Sequence, residues 1–136
     1  MNCPKCNHTM VAVPAPKGLA VARCDQCGGL LCSDAALAGL ERHWFLWPKS
    51  GTDHIDTGKP SDGRRWNTMR RIACPSCGSP MMAENAADQT HIELERCASC
   101  QLTFFDAGEM TDLRYKTFAD WIRDRLHAAH GREPAR

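Results

Sequence analysis

Four cysteine pairs with the spacing C-x-x-C constrain this chain of 136 residues more than any other feature of its sequence. The pairs begin at Cys3, Cys24, Cys74 and Cys97, and the ninth cysteine, Cys32, lies outside them. Two such pairs separated by a spacer of roughly 15 to 20 residues are typical of a zinc site built from four thiolates. Each half of the chain contains one such arrangement, so the sequence predicts two metal sites.

The predicted metal sites follow from the geometry of the C-x-x-C loop. One loop presents two sulfur atoms on the same side of a tight turn, and two loops complete a tetrahedron around zinc. We therefore predict two structural Zn²⁺ ions per chain. The predicted ligands are Cys3, Cys6, Cys24 and Cys27 in the first half and Cys74, Cys77, Cys97 and Cys100 in the second. Iron is the alternative metal, because residues 74–78 also resemble a rubredoxin knuckle.

The residue after each C-x-x-C pair must allow the backbone to turn and point its N–H groups at the sulfurs. Glycine or a small polar residue suits this position. The four residues found there are Asn7, Gly28, Gly78 and Gln101. The sequence therefore predicts a tight turn after every cysteine pair.

The two halves are copies of one another. CPKC at residues 3–6 is echoed by CPSC at 74–77, and Leu19, Val21 and Arg23 align with Ile92, Leu94 and Arg96. This similarity beyond the cysteines indicates an internal duplication.

Each copy predicts a β-hairpin, a short apolar strand and a helix. In the second copy Ile92 and Leu94 alternate with glutamates, as in a strand with one buried face. The first helix is expected from about residue 33 to 43, and the second extends to about residue 129 after a capping box formed by Asp106 and Glu109. The predicted fold class is small, metal-stapled α+β: two zinc ribbons, each a hairpin or three-stranded sheet plus a helix, the second with a longer C-terminal helix.

These motifs resemble the bacterial transcription factor IIB-type zinc-finger family, in two tandem copies over about residues 1–42 and 72–115. Members follow C-P-x-C and a hairpin with C-x-x-C-x-G-x-[WF]-x-D-x-G-E-[LM]. The second copy carries Phe104, Asp106, Gly108, Glu109 and Met110 of this motif, but Leu102 replaces its first glycine. The first copy keeps Gly29 and Leu37, but has Leu31, Ser33, Ala35 and Ala36 at the aromatic, Asp, Gly and Glu positions. The resemblance implies a zinc-ribbon fold and zinc binding, and the family name suggests transcription.

The predicted domain organisation follows the duplication. The first ribbon with its short helix covers 1–47, and the second with its amphipathic helix covers 72–130. Residues 48–71 are predicted to be a flexible basic linker, and residues 131–136 a disordered tail.

The linker and the end of the first helix suggest two binding surfaces. Basic and aromatic residues that could contact phosphates and bases are Lys59, Arg64, Arg65, Trp66, Arg70 and Arg71. An apolar patch that includes Trp44, Phe45 and Trp47 suggests either core packing or a surface for a partner protein. For Cys32 the alternatives are a buried apolar side chain and a reactive thiol.

These features favour a protein-interaction adaptor with structural zinc and an unknown protein partner. The alternatives are a nucleic-acid-binding or transcription-associated module and a thiol redox or zinc-responsive switch. We predict no enzymatic activity, no catalytic residue and no organic cofactor, because four thiolates close the coordination of zinc. The formal charge of +1 becomes about −3 once eight thiolates and two zinc ions are counted, which weakens any overall attraction to nucleic acid.

The sequence also bears on compartment and membrane contact. It contains no run of eighteen apolar residues and does not open with a basic segment followed by an apolar run. Neither a transmembrane helix nor a signal peptide is therefore predicted. Without these segments a reducing, cytoplasmic location and no membrane partner are expected. In a reducing compartment closely spaced cysteines bind metal more often than they form disulfides.

Overall fold

Each half of the chain forms a three-stranded antiparallel sheet followed by a helix. We describe residues 1–49, 52, 54–66, 72–86 and 89–130 from a computed structural model. The first half contains β1 (Val11–Pro14), β2 (Ala20–Arg23), β3 (Leu30–Ser33) and α1 (Asp34–Leu46). A short helix, α2 (Pro60–Trp66), precedes β4 (Met82–Ala86), β5 (Gln89–Cys97), β6 (Leu102–Phe105) and α3 (Glu109–His130). The predicted fold class is confirmed, and α3 is the longer terminal helix.

Local sequence accounts for the elements of the first half. The β1–β2 hairpin turns through a short 3-10 segment in which Lys17 and Gly18 have positive φ angles of 58° and 72°. Val13 and Val21 lie opposite each other on its buried face. Ser33 caps α1, because its side-chain oxygen accepts a hydrogen bond of 3.1 Å from the amide of Ala36.

The two halves join edge to edge into one six-stranded sheet. Its strand order is β1-β2-β3-β6-β5-β4, so β3 and β6 pair antiparallel at the centre. Leu31 pairs with Phe104, and each lies four residues after the last ligand cysteine of its own ribbon. The pairing therefore relates equivalent positions by a local two-fold axis, as in a symmetric dimer interface.

The central strands are buried on both faces of the sheet. One face packs against the helices, in a cluster that includes Leu30, Leu40, Trp44, Phe105 and Met110. The other face carries both sets of zinc-ligand cysteines, in a cluster that includes Leu31, Phe104, Met10, Met81 and Ile72. Because side chains alternate along a strand, neighbouring residues of β3 and of β6 point into different clusters.

The centre of the sheet explains why the two copies depart from the same motif in opposite ways. A Cβ atom built on Gly29 would lie only 2.2 Å from Cζ of Phe104, so the ring needs glycine there. At the symmetry-related place, the smaller Leu31 occurs together with Leu102, which packs against the same cluster. The small Gly29 is combined with the large Phe104 ring, and Leu102 is combined with Leu31 of equal size. Both combinations can fill the space at the centre of the sheet.

The segment predicted to be a flexible linker differs from that prediction where the structure describes it. Residues 60–66 form α2, and Ile55, only 1% exposed, packs in the same cluster as Trp44. Thr52 is also buried, and its hydroxyl lies 2.9 Å from that of Thr111 on α3. This part of the connection is therefore built into the fold, because its few apolar and small polar side chains fill gaps between the helices.

The start of α3 also differs in part from the predicted capping box. Glu109 accepts a hydrogen bond of 3.1 Å from the amide of Asp106, as predicted. The amides of Gly108 and Thr111, however, donate to the two carboxylate oxygens of Asp56, at 2.9 and 3.1 Å. A residue of the connecting segment thus caps α3 from a distance in sequence, which leaves the Asp106 carboxylate to bind elsewhere.

Candidate metal centres

Four tight loops position the eight paired cysteines. Every residue that follows a C-x-x-C pair has a positive φ, as predicted: 63° at Asn7, 78° at Gly28, 78° at Gly78 and 56° at Gln101. In three loops the amide of that residue donates to the carbonyl of the first cysteine. In the third loop the amide of Ser76 also points at the sulfur of Cys74, at 3.4 Å. These turns hold each pair of sulfurs on one side of its loop.

The first group consists of Cys3, Cys6, Cys24 and Cys27. Their four sulfur atoms all lie within 4.8 Å of one another, and three of the four residues are buried. The Sγ atoms of Cys3 and Cys27 are 3.6 Å apart, and those of Cys6 and Cys24 are 3.3 Å apart. Each short distance joins one loop to the other.

The second group consists of Cys74, Cys77, Cys97 and Cys100. Its sulfur atoms satisfy the same 4.8 Å limit, and the Sγ atoms of Cys77 and Cys97 are 3.6 Å apart. Cys77 is exposed and Cys100 is half-buried, so this site lies nearer to solvent than the first.

The donor set and its dimensions fit zinc. Four Zn–S bonds of about 2.3 Å arranged as a tetrahedron give sulfur–sulfur separations of about 3.8 Å, close to those of both groups. A disulfide needs sulfurs only about 2.05 Å apart. The sulfur–sulfur distances of 3.3 to 3.6 Å therefore fit metal binding and not disulfide bonds. Each group can hold one zinc ion, as predicted, with four protein sulfurs and no remaining position for a substrate.

Hydrogen bonds to sulfur make one thiol in each group unusually acidic. The pKa of Cys3 is lowered to about 5, chiefly because its sulfur accepts a hydrogen bond from Cys27. The pKa of Cys77 is lowered to about 6, chiefly through its hydrogen bond with Ser79. The neighbouring thiols are held protonated in turn: the pKa of Cys100 rises to about 12, chiefly because of Cys77. A divalent cation supplies the positive charge that lets all four sulfurs of a group ionise together.

A buried ion network connects the first metal loop to the second ribbon. The side chain of Lys5, between two ligands of the first site, is fully buried, and its Nζ lies 2.6 Å from Asp106 and 3.1 Å from Glu95. Burial alone would lower the pKa of Lys5, but the two carboxylates outweigh it and raise the pKa. In the opposite direction, Arg96, next to the ligand Cys97, pairs with Asp34 of the first ribbon.

Sequence reasoning missed this network. The sequence offers only one hint, a lysine between two ligands of the first CPKC loop, and Asp106 reads there as a helix cap. Neither residue has its partner nearby in sequence, since Lys5 and Asp106 are 101 positions apart. Only the strand pairing of the two ribbons brings them together.

Comparison with known proteins supports the metal assignment. Residues 2–38 match the family described as transcription factor zinc-finger, with a zinc-ribbon domain of the transcription factor IIB type. The match covers the whole first group of cysteines, and the second group is consistent with a second copy of the ribbon. Neither a curated protein nor a solved structure matches the chain significantly.

The structure describes three of the side chains predicted to contact nucleic acid. Lys59, Arg64 and Arg65 are exposed, at or beside α2. Trp66 ends that helix, and its side chain lies outside the described part of the structure, as do Arg70 and Arg71 entirely. The predicted tail, residues 131–136, is likewise outside the described residues.

The structure separates the residues of the predicted partner surface. Trp44 is 1% exposed and belongs to the core, so its assignment to a partner surface is wrong and the alternative of core packing holds. Phe45 and Trp47 are exposed, as is Leu46 between them. The helix turns Trp44 inward because it lies one helical turn after Leu40, which faces the same cluster.

Cys32 occupies the helix-facing cluster, where it is 2% exposed. Burial raises the pKa of its thiol to about 12. These properties match a buried apolar side chain and oppose a reactive thiol.

Proposed function

We propose that this chain is a protein-interaction adaptor in which two structural zinc ions fix the shape of a binding surface. The closed four-sulfur sites leave no position for a reacting water or substrate, so no catalytic activity is assigned. A location in a reducing compartment such as the cytoplasm is part of the proposal, because free thiolates must be available to zinc. Among the described residues, no helix is both long and apolar enough to cross a membrane.

The observation that carries the proposal is the apolar end of α1. Phe45, Leu46 and Trp47 are 38%, 56% and 59% exposed in consecutive positions, and we call them the α1 surface. Buried Trp44 anchors this end of the helix, and Arg114 of α3 donates to the carbonyl of Pro48 just beyond it. A rigid, exposed cluster that contains tryptophan is the kind of surface that supplies binding energy in protein interfaces.

A pull-down with the zinc-loaded full chain tests this proposal. Wild-type protein should retain a partner from nuclease-treated native lysate, and replacing Leu46 and Trp47 by serine should remove it. Met82→Ser is the matched control, because Met82 is 65% exposed but lies on the sheet edge. Retention of the same partners by the double variant would refute the proposed surface.

The second candidate function is nucleic-acid binding, favoured by the exposed Lys59, Arg64 and Arg65 around α2. Three cations on a short segment give a local attraction to phosphates that the near-neutral chain lacks overall. Binding of single-stranded and duplex DNA or RNA should then weaken steeply with salt and fall in an Arg64→Ala, Arg65→Ala variant. No binding at low salt, or salt-independent binding, would exclude this function.

A further inference from the structure

The long helix α3 has a second apolar face that the core does not use. Met110 and Leu113 pack into the helix-facing cluster of the sheet and fix the start of the helix. Tyr115, Ile122 and Leu126 are instead 59%, 39% and 55% exposed. At 3.6 residues per turn these three positions fall on the side of the helix opposite to Met110 and Leu113.

The exposed face has the spacing of a coiled-coil seam. Tyr115, Ala119, Ile122 and Leu126 are separated by alternating intervals of four, three and four residues, and all four are exposed. This is the a/d repeat by which one helix packs against another, and it differs from the broader stripe of a helix that packs only on its own core. We call these four residues the α3 seam.

Three of the four positions that flank the seam are basic, and the fourth is Phe118. In the heptad repeat set by the seam, Lys116, Arg123 and Arg125 fall at the flanking e and g positions, and Arg123 and Arg125 are exposed. Asp120 and Asp124 fall at positions b and f, away from the seam. Between Tyr115 and Leu126 no flanking position is acidic, so a second copy of α3 would bring cation against cation.

From this charge pattern we propose that the α3 seam binds an amphipathic helix of a partner protein whose flanking positions are acidic. The seam presents apolar side chains to the partner's apolar face, and its basic flanks select glutamate or aspartate on the partner. In this chain α3 is already helical before a partner binds, because Met110 and Leu113 anchor the start of the helix and Asp56 caps it. The ordering cost of binding therefore falls mainly on the partner. The Tyr115 end of the seam lies near the α1 surface, because Arg114 contacts both the Tyr115 ring and the carbonyl of Pro48, but the two surfaces share no residue.

Two designed peptides test the proposal directly. Both contain three heptads with leucine at a and d, and they differ only in carrying glutamate or lysine at e and g. With zinc-loaded full chain and fluorescence anisotropy as the readout, the glutamate peptide should bind about tenfold or more tightly than the lysine peptide. The difference should shrink at about 0.5 M salt, where exposed charges are screened.

Two variants locate the binding. Ile122→Asp combined with Leu126→Asp should abolish binding of the glutamate peptide, whereas Met82→Asp, at an exposed position on the edge strand β4, should bind like wild type. Circular dichroism and zinc content confirm that each variant is folded. Equal binding of the two peptides, no binding of either, or full binding by the double variant would overturn the proposal. Self-association of the chain that the double variant removes would overturn it too, because the occupant would then be a second copy.

Discussion

Lys5 lies between two zinc ligands of the first ribbon yet forms its ion pairs with the second. Its ammonium group is fully buried against Asp106 and Glu95, so it has exchanged water for two carboxylates. Such an arrangement contributes little relative to well-packed apolar residues, but removing one partner leaves buried charges uncompensated. Lys5 therefore makes the folded first loop and the docked second ribbon depend on each other.

Replacing Lys5 by methionine should lower the free energy of unfolding by about 3 to 5 kcal/mol, because Asp106 and Glu95 lose their cation. The measurement is urea unfolding at constant free zinc. Lys49→Met is the matched control, since Lys49 is exposed, and it should change stability by less than about 0.5 kcal/mol. A loss below about 1 kcal/mol for Lys5→Met would show that the network does not bind the ribbons together.

Glu109 titrates in a range where stability can be measured. Its pKa is raised from 4.5 to about 8, chiefly by burial and then by Asp106 and Glu95, while Lys5 opposes the shift. The folded state therefore holds this proton more tightly than the unfolded state. The stability it contributes is complete below pH 4.5 and is lost as the pH rises towards 8.

Glu109→Gln should remove this pH dependence, because glutamine stays neutral and its carbonyl can still accept from the Asp106 amide. The stability of the variant relative to wild type should rise between pH 6 and 8, by up to about 1.4 kcal/mol per unit. Unfolding of both proteins across that range gives the difference directly, and the common effect of zinc-ligand ionisation cancels. A difference that does not change with pH would contradict the assignment.

At the scale of elements, the pairing of β3 with β6 decides how the two ribbons meet. Neither strand is a free edge, because each closes the open side of the other's sheet. The large ring of Phe104 packs against Gly29, whereas the smaller Leu31 lies in the cluster against which Leu102 packs. Departures from the family motif in one copy are thus explained by residues of the other copy.

If the two arrangements are equivalent, the Leu31–Leu102 pair should be convertible into the Phe104–Gly29 arrangement. Leu31→Phe alone should overpack the central cluster and cost about 1 to 3 kcal/mol, since the face is already filled. Combining it with Leu102→Gly recreates the Gly29–Phe104 arrangement on the symmetric side. The double variant should be more stable than the sum of the single changes by about 1 kcal/mol, measured as a double-mutant cycle. Additive effects would mean that the two positions do not share a space.

At the scale of the whole molecule, local patterns predicted the ribbons but not their assembly. The cysteine spacing, the turn residues and the helix-start signals act within a few residues. Both ribbons and the helices that follow them, α1 and α3, could therefore be predicted. The β3–β6 pairing, the cap from Asp56 and the contacts of Lys5 join residues that are about 50 to 100 positions apart, and no local signal encodes them. The domain boundaries at 47 and 71 stay predictions, although the sheet runs continuously through both halves.

One folded chain should contain two closed four-cysteine zinc sites. Native mass spectrometry of the purified full chain tests it most directly, because the mass identifies both the metal and its number. We expect two zinc ions per chain, with all nine cysteines free of disulfides. A folded chain that carries one metal ion or none, iron in place of zinc, or disulfide-linked ligand cysteines would contradict it.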